Sequence, residues 1–133
     1  MSEMVEVQTS ELIGIALDWA VAKATDEPIE LIPANPDWGT VAELKAKNWL
    51  DRIGEEYDWS PSSDWDQIGP LLTKYRIEFK YASDDVVKAV IASGVAFYPV
   101  PGGFGPDHLI AACRAIVLHE LSQAVMVPKE LLS

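Results

Sequence analysis

The sequence predicts an α+β fold, a small antiparallel sheet of about three central strands with short terminal strands, packed by two or three helices. Three observations carry that prediction. Residues 76–100 hold three short β-rich runs separated by turn formers, residues 106–122 carry a long apolar stripe at helical spacing, and a second such stripe follows Thr9. Strands joined in series by tight turns pair antiparallel, and helices outside the run can cover one face of the sheet. The 133 residues, 49% of them hydrophobic, suffice for one compact core, so residues 1–133 are read as a single domain.

Val5 and Val7 alternate with Glu6 and Gln8 as a short strand, and Thr9 then supplies the N-cap of a helix reaching about residue 24. Leu12, Ile13, Ala16, Leu17 and Ala20 form its stripe. Residues 25–36 read as a loop with at most one short edge strand, because prolines and an asparagine surround Ile29, Leu31 and Ile32. Thr40 and Glu43 have capping-box spacing and open a second helix toward residue 53, stopped by Gly54. In the clearest strand, Ile77, Phe79 and Tyr81 alternate with Arg76, Glu78 and Lys80. Runs at 86–91 and 95–100 follow across turns at Asp84-Asp85 and Ser93-Gly94, giving a three-stranded meander. Past the glycine-rich PGGFG, a helix over residues 106–122 aligns Leu109, Ile110, Cys113, Ile116, Val117 and Leu121, with Asp107 complementing its dipole. Val125 and Val127 form a last extended piece able to pair with Val5 and Val7.

The net charge of −11 is regional. Residues 1–66 contain fifteen Asp or Glu against four Lys or Arg, while residues 67–133 contain six of each. All five tryptophans share the acidic half. This distribution argues against direct nucleic-acid binding and leaves open a basic protein partner or a solvated acidic face. No apolar run has membrane-spanning length, and Glu3, Glu6 and Glu11 do not suit a secretory leader, so a cytoplasmic location is expected. The lone Cys113 excludes an internal disulfide and lies within an apolar stripe, as a buried inert thiol does.

No catalytic constellation and no cofactor or metal set is found. His108 and His119 lie eleven residues apart, roughly 16 Å along a helix, too far to share an ion. Asp64, Asp66 and Gly69 approach a calcium-loop register, but Ile68 and Tyr75 occupy the fifth and twelfth positions, where oxygen ligands belong. Gly102, Gly103 and Gly105 precede a helix, where such a run can present N–H groups to an anion or simply turn the chain. The segment Tyr57-Asp58-Trp59-Ser60-Pro61-Ser62-Ser63-Asp64-Trp65 places three aromatics among turn formers. It reads either as a roof over the core or as a recognition loop.

Three blocks, VEVQTSELIGIALDWAVAKA, WSPSSDWDQIGPLL and GPDHLIAACRAIVLHEL followed by VMVPKELL, resemble the phage NinX-like proteins. The resemblance implies a small accessory protein of phages and prophages, and it implies no reaction. Its recurring elements fall on Ser60, Pro61, Ser62, Asp64, Trp65, Gly69, Pro70, Gly105, Pro106 and Arg114, while residues 26–56 look like a variable insertion. Arg114, on the helical face of Asp107, is expected to pair with Asp64 or Asp66, or to face a ligand.

Two functions follow as expectations, neither enzymatic. In the first, the loop around Tyr57, Trp59, Ser60, Ser62, Asp64 and Trp65 meets the loop of Gly103 and Gly105, and with Arg114 captures a small polar, nucleotide-like ligand such as a host signal, in a counter-defence role. In the second, the acidic half mimics phosphate charge and inhibits a host nucleic-acid-binding or defence protein.

Overall fold

The computed structural model describes residues 3–47, 56–91 and 102–132. Among them are three α-helices and eight strands, and every strand pairing is antiparallel, as an α+β fold requires.

The first strand, β1 (Met4–Gln8), pairs with the last, β8 (Ala124–Pro128), with Val5 opposite Val127 and Val7 opposite Val125. Both ends of the chain therefore meet as expected. Thr9 does not cap a helix. It is buried in a short 3-10 turn, its hydroxyl donating to the Ser122 carbonyl at 2.6 Å and its N–H to the Gln123 carbonyl at 2.8 Å. Helix α1 (Gly14–Thr25) begins later, because Gly14 has φ +61 and breaks a continuous run from Thr9. Ile13 consequently points outward at 59% exposure, whereas Leu12, Ala16, Leu17 and Ala20 are buried as the stripe predicts.

A second sheet joins β2 (Ile29–Ile32), β3 (Glu43–Lys47) and β4 (Glu56–Asp58). The expected helix opening at Thr40 is thus replaced by a strand across residues 43–47, and its remainder lies outside the described residues. Leu44 and Ala46 are buried on either side of Lys45, a period-two pattern that overrides the capping-box spacing. Thr40 instead accepts a hydrogen bond from the Asn35 N–H at 2.9 Å.

Helix α2 (Trp65–Tyr75) follows, with Gly69 and Pro70 inside it, and ends at Arg76, whose φ of 51 is left-handed. β5 (Ile77–Ser83) and β6 (Val86–Ile91) form the expected hairpin across Asp84-Asp85. The third strand expected at 95–100 lies outside the described residues; β6 pairs with β7 (Gly103–Gly105), built from the glycine run itself. Helix α3 (His108–Glu120) covers β6 and β7 and packs on α1 and α2.

The core forms where α1 and α3 cross. Ala16, Ala20 and Ala112 are small and buried, and Leu17, Val21, Ile116 and Val117 are buried with them. Cys113 is fully buried there, and burial, with Asp18 and Asp107 acting in the same direction, pushes its thiol well above the ordinary range. Among the described residues no helix is long and apolar enough to cross a membrane.

Candidate functional site

The segment around Trp59 is anchored from below by helix α1. Trp59 is buried and its indole N–H donates to the Asp18 carbonyl at 2.8 Å. Pro61 is fully buried, and the Ser62 N–H donates to Asp18 Oδ1 at 2.8 Å, with the Ser62 side chain bonded to the same carboxylate. Asp18 is only 6% exposed, and desolvation raises its pKa from 3.8 to about 6 against the opposing pull of Ser62. Sequence reasoning missed Asp18, which lies outside the stripe of Leu12, Ile13, Ala16, Leu17 and Ala20 and looks like a solvent-facing residue there.

From Asp64 onward the expected loop is a helix. Asp64 is its N-cap, with Oδ1 accepting from the Asp66 N–H at 2.9 Å. Gln67 reaches back over the turn: its Oε1 accepts from the Ser60 N–H at 2.7 Å, and its Nε2 donates to the Asp58 carbonyl at 2.6 Å and to Asp64 Oδ2 at 3.2 Å. Asp64-x-x-Gln67 is a capping-box pattern legible in the sequence. Gly69-Pro70 obscures it, although Pro70 sits only one and a half turns in, where few intrahelical bonds are lost.

Tyr57, Trp59, Ser60 and Asp64 share one groove of about 650 Å³ with Glu27, Asp58, Asp66 and Gln67. Four carboxylates thus surround it. Lys45 pairs with Asp58 at its rim, and the Tyr57 hydroxyl donates to Glu27 Oε1 at 3.4 Å.

The other expected site residues lie elsewhere. Trp65, 57% exposed, turns toward the start of α3, its ring 6.4 Å from that of His108, which also meets Phe79 at 4.9 Å and Tyr81 at 5.8 Å. Gly103 and Gly105 are buried packing positions: a Cβ on Gly103 would stand 2.3 Å from the Ala111 carbonyl oxygen and one on Gly105 2.9 Å from the Ala111 nitrogen. Asp107 caps the N-terminus of α3 by accepting from the Ile110 N–H at 2.8 Å. Arg114 pairs with neither Asp64 nor Asp66. Its Nε donates to the Leu12 carbonyl at 2.9 Å and its Nη1 to the Phe104 carbonyl at 2.7 Å. It lines a separate cavity of about 240 Å³ with Gln8, Thr9, Ser10, Gly102, Gly103 and Gln123. Arg114 and Gly103 thus line a different opening from Tyr57, Trp59, Ser60 and Asp64, and Ser62 faces α1 instead of either opening. Among the described residues no His, Cys, Asp and Glu cluster is arranged to hold a metal ion.

The class of the protein, a phage accessory protein, comes from comparison with known families. Residues 8–120 match the family model described as Bacteriophage P22, NinX, and the chain belongs to that phage family. Comparison with the curated proteins finds no match.

Proposed function

We propose that this phage accessory protein is not an enzyme and acts by binding, its acidic groove docking a positively charged segment of a host protein. The observation that carries this reading is the placement of Glu27, Asp58, Asp64 and Asp66 around a single groove with Tyr57 on its wall. A Lys or Arg side chain entering such a groove gains from every carboxylate and can lie against an aromatic ring. A phosphate entering it meets four carboxylates offset by the single Lys45 that pairs with Asp58, so the groove's electrostatics favour a basic partner over a nucleotide-like ligand.

A host factor that handles nucleic acid carries a basic surface of this kind, and occupying that surface would block it by charge mimicry. The bond network below supports such a role, because the Asp18 anchor and the Gln67 bridge hold the groove wall in a fixed shape before binding. The test is affinity capture from a bacterial host lysate at low ionic strength. A nucleic-acid-binding protein of basic isoelectric point should be retained and then released as salt is raised. Recovery of no basic partner at low salt would contradict the proposal.

A further inference from the structure

The cavity beside β7 is chemically unlike the rest of this acidic chain. Arg114 stands in its wall, and the bonds to the Leu12 and Phe104 carbonyls use two of the five guanidinium N–H groups and fix the plane of the fork. Among the described residues no carboxylate pairs with it. Asp107, two helical turns earlier, attracts the charge only at longer range, its own carboxylate being engaged at the helix cap. Incomplete hydration of the half-buried guanidinium lowers its pKa from the ordinary value, and Asp107 opposes that shift.

Other donors converge on the same space. In an extended strand the N–H and C=O of one residue point to the same side, so the Phe104 N–H faces the cavity as its carbonyl does. Ser10 and Gln123 stand at the mouth.

We propose that this cavity is an oxyanion site for the phosphate group of a small phosphomonoester, gripped by the remaining N–H groups of Arg114 and the Phe104 N–H. A planar guanidinium fork matches two phosphate oxygens at once, and a partly desolvated position weakens screening. A volume of about 240 Å³ admits the group with part of its substituent. The site is separate from the acidic groove and does not depend on the groove's function.

The chain has three arginines, Arg52, Arg76 and Arg114, so their Nε–H resonances can be followed one by one in the full-length protein by NMR. Inorganic phosphate, adenosine monophosphate and acetate serve as probes. Saturable movement of the Arg114 resonance with phosphate, and at lower concentration with the monophosphate, is expected while Arg76 stays still. Arg114→Ala endangers the fold by freeing two carbonyls, so the informative variant is Gln123→Glu, an isosteric change at an exposed position that brings a carboxylate to the mouth. It should weaken binding by about tenfold or more. An unmoved Arg114, a non-saturating drift shared with Arg76, or an unaffected Gln123→Glu variant would overturn the site. Acetate binding as tightly as phosphate would overturn its assignment to phosphate, and phosphate binding without the monophosphate would overturn the monoester.

Discussion

The Ser62 N–H donates to Asp18 Oδ1 at 2.8 Å across a separation of 44 residues. This bond explains why a serine-proline-serine turn and a helix-face aspartate belong to one structural unit. Trp59 bonds the carbonyl of the same Asp18, so the turn and the tryptophan are locked to α1 together, and the floor of the acidic groove is set by the core.

Asp18→Asn should stabilise the protein at neutral pH, because the amide oxygen still accepts from Ser62 while the desolvated charge disappears. The sign follows from a folded-state pKa of about 6, raised from 3.8: the folded protein holds a proton that the unfolded chain releases between those values. Asp18 therefore weakens the fold as pH rises from 3.8 through 6, by about 3 kcal/mol at neutral pH, and this penalty is lifted on acidification. Urea melts of wild type and Asp18→Asn at pH 4.5 and 7.5 should show the variant's advantage larger by about 2 kcal/mol at the higher pH. Asp18→Ala removes the same charge but leaves the Ser62 N–H unpaired, and should be about 1–3 kcal/mol less stable than Asp18→Asn.

The two tryptophans of the segment should separate cleanly. Trp59→Phe removes a buried hydrogen bond and leaves a gap beside α1, at a cost of about 1–3 kcal/mol in chemical denaturation. Trp65→Ala, at an exposed ring against His108, should stay within about 1 kcal/mol of wild type.

Gly103→Ala tests the close packing of β7 on α3. The added Cβ would stand 2.3 Å from the Ala111 oxygen and 2.4 Å from the Ala115 nitrogen, both backbone atoms of a helix that cannot yield locally. A loss of about 3 kcal/mol or more is expected in thermal or urea unfolding. Near-wild-type stability would show that strand and helix separate at little cost.

Period-two and helical spacing made the hairpin of β5 and β6, the core helices α1 and α3, and the meeting of the chain ends legible in the sequence. The failures have physical causes. At Thr40 a capping-box spacing competed with only five residues of strand alternation, and burial of Leu44 and Ala46 decided for the strand. At Asp64 the true cap was masked by Gly69-Pro70, although Gln67 three residues on completes the pattern and bridges the turn. The glycine run was too short to show alternation, and its role as an edge strand depends on the alanines of α3 facing it.

For the site, the aromatic segment marked the right region. Tyr57, Trp59, Ser60 and Asp64 do share a groove, but Glu27 enters it from 30 residues earlier, a proximity that spacing along the chain does not reveal. Arg114 was singled out by its chemistry and placed with the wrong partners, since its carbonyl acceptors on Leu12 and Phe104 carry no sequence signature.

Docking through the groove is tested most directly by calorimetric titration of a lysine decapeptide at low ionic strength into three proteins. One is wild type, one is Glu27→Gln/Asp66→Asn in the groove, and one is Glu78→Gln/Asp85→Asn on the hairpin, outside the groove lining, with the same change in net charge. If the groove is the docking surface, affinity should fall by about tenfold or more in the groove variant and by about twofold or less in the hairpin variant. Equal losses in both variants would show that the peptide senses only overall charge, and would contradict the groove as a docking surface.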